Sequence, residues 1–133
     1  MDYLKEKLEQ LGKALKKLEE ASEAEKTELN RDASIQRFEF TFELLWKCVK
    51  SYLKEIEKID CHSPNSCIRE ARRLLELSEK EIETLLDMAE KINLSTHTYS
   101  EEQAEEIYQE IQKFLPLMKK TAERIRRNEE EVL

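Results

Sequence analysis

Asn93-Leu94-Ser95-Thr96-His97-Thr98-Tyr99 gathers an amide, three hydroxyls, an imidazole and a phenol within seven residues. The chain has only two histidines, so this concentration of reactive groups stands out. His97 is the acid/base candidate, because a free imidazole titrates near pH 6.5. Ser95 or Thr96 would need an oriented base to act as a nucleophile, and adjacency alone does not supply one. Asn93 can read a base edge or cap a helix C-terminus. Tyr99 can stack on a base or pack with its hydroxyl satisfied. For His97 the plain alternative is a helix-end hydrogen bond. No Gly-rich phosphate loop is present, and no carboxylate pair rises above the Glu-rich helix faces.

These residues need a scaffold, and the composition says which kind. A chain of 133 residues is one domain, expected over 1–133, with enough length to bury roughly two thirds of its unfolded surface. One Gly and two Pro leave little material for hairpin turns. Charged residues reach 40% and apolar ones 39%, a balance that suits a helical bundle rather than disorder. Glu/Lys richness is also common among thermophile proteins.

The net charge of −7 argues against nucleic-acid binding by overall field, since phosphate neutralisation needs clustered cations. Two small clusters exist, Arg69/Arg72/Arg73 and Arg124/Arg126/Arg127, and both read more simply as solvated helix faces. The cysteines are Cys48, Cys61 and Cys67. Their odd count, without a signal-peptide pattern, sets the expectation of a reducing cytoplasm. Cys61-His62 and Cys67 match no standard zinc spacing, so no metal site is expected. No run of apolar residues approaches the roughly 18 needed to span a bilayer.

Periodicity divides the chain into helices. Leu4, Leu8, Leu11, Leu15 and Leu18 form one stripe over about 2–21. A long helix over about 29–59 carries Ile35, Phe38, Phe42, Leu45, Val49, Leu53 and Ile56. It also carries a second stripe, Phe40, Leu44 and Cys48, nearly opposite. A helix apolar on two faces must be covered on both. A second subunit or a partner can cover the extra stripe, and so can another helix of the same chain. Ser63-Pro64 reads as an N-cap and first helical residue. Ser78-Glu81 and Ser100-Gln103 are capping boxes opening two further helices. Pro116 should kink the last helix, and the tail over 128–133 should fray.

Ile35-Gln36-Arg37-Phe38-Glu39-Phe40-Thr41-Phe42-Glu43-Leu44-Leu45-Trp46-Lys47 closely resembles the helix signature of the nucleotidyltransferase substrate-binding proteins, a branch of the HEPN superfamily. Ser63-Pro64 with Ile68-Arg69-Glu70-Ala71 resembles the family's next element. Met88 through Asn93 with His97-Thr98-Tyr99 resembles its third. The resemblance implies an all-α, HEPN-like, four-helix up-and-down bundle with one additional short helix, forming a homodimer. It also implies a partner, a small minimal nucleotidyltransferase. ATP and Mg would belong to that partner, and this chain would carry no cofactor. Many such pairs resemble toxin–antitoxin modules, in which the HEPN chain is a metal-independent ribonuclease silenced by AMP transfer to a tyrosine. Tyr99 would be that acceptor here.

The ribonuclease motif of that group is Arg, four residues, His, one residue, Tyr. His97 and Tyr99 match, but the arginine position is Ile92. Lys91 is one residue off and points about 100° away on a helix. Isoleucine cannot hold a phosphate or stabilise developing charge. The expectation is therefore a non-catalytic substrate-binding or regulatory subunit in the cytoplasm, with nucleotide or RNA as ligand classes. Asn93, Ser95, His97, Tyr99 and Arg37 are its candidate binding residues, and Phe40, Leu44 and Cys48 its candidate dimer or partner interface. Arg37, Glu39 and Glu43 can instead form bundle contacts. The competing expectation is a ribonuclease toxin using His97, Tyr99 and Lys91.

Overall fold

A computed structural model describes residues 2–94 and 100–132. The described residues form helices α1 (Asp2–Glu23), α2 (Glu28–Glu55), α3 (Pro64–Ala71), α4 (Glu79–Leu94) and α5 (Glu101–Glu131). The fold is an all-α, up-and-down bundle of α1, α2, α4 and α5, with the short α3 in the crossover between α2 and α4.

Side-chain contacts fix the directions. Arg37 meets α1 at Lys17 and Thr41 meets it at Ala14, so α1 and α2 run antiparallel. Gln112 meets Ser22 and Lys5 meets Glu129, so α1 and α5 are antiparallel as well. Lys120 meets Glu81 while Lys91 meets Glu110, which makes α4 antiparallel to α5. Arg31 to Glu101 and Tyr52 to Asn128 then set α2 and α5 parallel, as diagonal partners should be.

The leucine stripe of α1 is buried throughout, and the main α2 stripe from Ile35 to Leu53 is buried with it. Each such side chain contributes about 1.5–3 kcal/mol by leaving water. Phe38 stacks on Phe114 with ring centroids 5.4 Å apart, joining α2 to α5 through the centre.

Caps set several boundaries. Ser63 accepts from the Ser66 amide with Pro64 at the first turn of α3. Ser78 and Glu81 exchange bonds of 2.9 and 3.1 Å, and Ser100 and Gln103 do the same at 3.0 and 3.1 Å. The second helix departs from the expected 29–59. It opens earlier, because Thr27 accepts from the Asn30 amide. It ends earlier, because Lys58 takes a left-handed backbone (φ 61°) and the Ile59 amide turns back to the Leu53 carbonyl. Glu76 (φ 52°) plays the same part after α3, with the Leu77 amide bonded to the Arg72 carbonyl.

Two further expectations need correction. The tail does not fray at 128, because α5 continues to Glu131. Asn128 donates to the Tyr52 hydroxyl at 3.0 Å and to the Leu74 carbonyl at 2.7 Å, and Glu129 is buried beside Lys5. The cysteines are not all thiols either. Cys61 and Cys67 form a disulfide that clasps the α2–α3 connection to α3, leaving Cys48 free and buried. α5 passes through Pro116 as one helix, with the proline on its exposed side.

The second α2 stripe splits. Cys48 is 0% exposed and Leu44 9% within the single chain, and α1 approaches this part of α2 at Thr41. Phe40 alone of the three is out, at 62%. The expected interface of Phe40, Leu44 and Cys48 is thus reduced to Phe40, because the chain itself already buries the rest.

Candidate functional site

Ser95, His97 and Tyr99 lie outside the described residues. The elements that lead into and out of that segment are described. Asn93 is exposed in the last turn of α4. It borders an open groove of about 410 Å³ between α3 and α4, together with Asn65, Arg69, Glu83, Asp87 and Glu90. The groove lies where the short α3 meets α4, with both helices lining it. One guanidinium and three carboxylates line it, so it would meet a cationic or hydrogen-bonding group more readily than a bare phosphate.

At the far side of the segment, Ser100 caps α5 and Glu101 anchors it. Arg31, which is buried, donates to both Glu101 oxygens, Nη1 to Oε2 at 2.9 Å and Nη2 to Oε1 at 3.2 Å. Arg31 Nε also donates to Asp32 Oδ1 at 3.1 Å. The guanidinium therefore holds the Glu101 carboxyl below the usual carboxylate range, and Glu101 raises Arg31 in turn. This bidentate clasp ties the exit of the polar segment to the start of α2.

Lys91 points away from the α3–α4 groove, toward α5. Its ammonium lies 3.1 Å from Glu110 Oε1 and 4.0 Å from Glu106 Oε1. The hydrogen bond it donates to Glu110 raises it above the ordinary lysine range, against a smaller effect of burial. Ile92 packs against the hydrophobic core. Arg37 is not at this groove. It sits at the α1–α2 seam and donates from Nη1 to the Lys17 carbonyl at 3.3 Å. Glu43 pairs with Lys47 at 3.4 Å, one helical turn on.

The C-terminal arginine cluster is engaged in structure. Arg124 donates to the Leu75 and Glu76 carbonyls, and Arg127 to the Glu76 carboxylate. In the other cluster Arg72 lies 3.8 Å from Glu79, while Arg69 lines the α3–α4 groove. The disulfide occupies the sulfurs of Cys61 and Cys67, so neither is a thiolate ligand.

The family model described as nucleotidyltransferase substrate binding protein like matches residues 6–127. The chain belongs to this family. A crystal structure of a protein from Thermus thermophilus is similar to it, with a TM-score of 0.82 and 38% sequence identity. That likeness covers 87% of this chain and 98% of the Thermus chain. No curated protein matches the chain. Within this family frame, the helix bearing Arg37 to Lys47 is a scaffold element that meets α1 and α5, while Asn93 and Arg69 face the open side of the bundle.

Sequence reasoning missed a second groove, at the α1–α2 end of the bundle, lined by lysines and two aromatic rings. Lysines one or two turns apart on a Glu/Lys-rich helix look like any solvated face. Only the antiparallel pairing of α1 with α2 brings Lys7 and Tyr3 beside them.

Proposed function

We propose that this chain is the non-catalytic substrate-binding or regulatory subunit of a pair whose other member is a small minimal nucleotidyltransferase, organised as a toxin–antitoxin module. Family membership carries this reading. In it, the partner supplies ATP and Mg, and this chain presents the substrate through Asn93, Ser95, His97 and Tyr99. Arg37 serves the bundle instead. The non-catalytic half of the reading is supported by position 92. A phosphate-holding arginine is replaced by an isoleucine packed on the core, and the neighbouring Lys91 is turned toward Glu110 and Glu106.

The reading includes a homodimer that buries the exposed Phe40. It also includes a cytoplasmic location. No helix among the described residues is long and apolar enough to cross a membrane. The Cys61–Cys67 disulfide fits the cytoplasm of an organism whose intracellular proteins carry disulfides, as those of hyperthermophiles do.

Affinity capture of the tagged chain from its host, with mass spectrometry of co-purifying proteins, tests the pairing. The expected result is a small nucleotidyltransferase in stoichiometric amount. Recovery of the chain without one contradicts it. An AMP adduct on the Tyr99 peptide would replace the reading with that of a ribonuclease silenced by its partner.

A further inference from the structure

The groove at the α1–α2 end combines lysines with two aromatic rings, whereas the groove between α4 and α5 has Lys80, Lys113 and Lys120 but no aromatic ring. The volume of the α1–α2 groove is about 530 Å³, within the range of small-molecule sites. Lys47, Lys50 and Lys54 come from α2 and Lys7 from α1. Three lysines on α2 and one on α1 thus line a groove whose single lining carboxylate among the described residues is Glu55, in a chain of net charge −7. Among the described residues only Lys47 of the four is ion-paired, with Glu43 at 3.4 Å. Lysines at this density repel one another, so an anion that enters relieves a standing cost.

Two aromatic rings share the groove. Trp46 is half-buried and packed against the core. Tyr3 is 55% exposed, and the Lys7 ammonium lies 5.4 Å from its ring centroid. Exposed aromatic faces beside cations are the ingredients of base stacking with phosphate neutralisation. Antiparallel packing creates this arrangement. The first turns of α1 lie against the last turns of α2.

We propose that the α1–α2 groove binds a nucleoside triphosphate, its base against Trp46 and Tyr3 and its phosphates among Lys7, Lys47, Lys50 and Lys54. A long nucleic acid suits the groove less well. The chain's net negative charge opposes a polyanion that runs past the groove, and the aromatic pair accommodates one base. The site is separate from the open side at Asn93. It stands on this chain alone, so its failure would leave the pairing with a nucleotidyltransferase untouched.

Trp46 is the only tryptophan, so its fluorescence reports this groove directly. ATP is titrated into the full chain without Mg, with calorimetry in parallel. The expected result is a saturable change in Trp46 emission. The pair Lys50→Glu and Lys54→Glu should weaken binding by about tenfold or more. The pair Lys13→Glu and Lys16→Glu, outside the groove, changes net charge equally and should leave affinity unchanged. If the first pair unfolds the chain, Lys50→Gln with Lys54→Gln takes its place. No emission change and no heat at millimolar ATP would overturn the proposal. So would equal affinity for inorganic tripolyphosphate, equal loss in both charge-reversed pairs, or tighter binding of single-stranded RNA in competition.

Discussion

Tyr52 shows what one buried polar group does for this bundle. Its ring is fully buried, and its hydroxyl donates to Glu57 Oε2 at 2.5 Å while accepting from Asn128 at 3.0 Å. Burial, reinforced by Glu57, pushes its pKa up to about 12. Tyr52→Phe removes the link between α2 and the end of α5 and leaves Glu57 without that donor. It should cost about 1–2 kcal/mol in denaturant unfolding. Cys48 is likewise pushed up to about 12 by burial, which makes it an unreactive thiol. Glu81 carries a pH dependence. Its hydrogen bond from Lys120, at 2.5 Å, and then the Ser78 amide hold its carboxyl below the usual range. A depressed folded-state pKa means stability present above the unfolded value, near pH 4.3, and lost as pH falls through the folded one. Glu81→Gln keeps a side chain able to complete the cap but removes the charge. Its melting temperature should fall below the parent's at neutral pH, with the gap closing below about pH 4.

At the scale of elements, the Cys61–Cys67 bridge closes a short loop with a sequence separation of 6 between the α2–α3 connection and the buried face of α3. Loop-closure entropy gives such a link about 2 kcal/mol. Cys67→Ser should lose roughly that much in unfolding without reductant, and dithiothreitol should lower the parent to a similar level. That pairing is not legible in the sequence, because it depends on where two helices meet. The caps at Ser63, Ser78 and Ser100 are legible, because each is satisfied within three residues of chain. The α2 terminus falls short of its expected place because the chain turns left-handed at a lysine, where glycine would have announced it. The Phe40/Leu44/Cys48 stripe reads from sequence as needing cover. Periodicity cannot reveal that the chain itself covers two of its three members. Asn93 and Arg69 share a groove only because α3 packs against α4, and both sit in segments whose patterns say nothing of each other.

For the whole molecule, the surfaces that bear on function are an acidic groove at Asn93, a basic aromatic groove at Trp46, and the exposed Phe40 face. If Phe40 seats a second copy, Phe40→Glu should leave the helical content unchanged and convert a dimer to a monomer by light scattering. A parent chain that is already monomeric at micromolar concentration would rule the dimer out. The absence of the phosphate-holding arginine at Ile92 is the feature on which the non-catalytic reading turns. The direct measurement is incubation of the purified chain with end-labelled single-stranded RNA in EDTA, beside His97→Ala. The expected result is intact RNA with both proteins. Metal-independent cleavage by the parent, lost in His97→Ala, would contradict the non-catalytic reading.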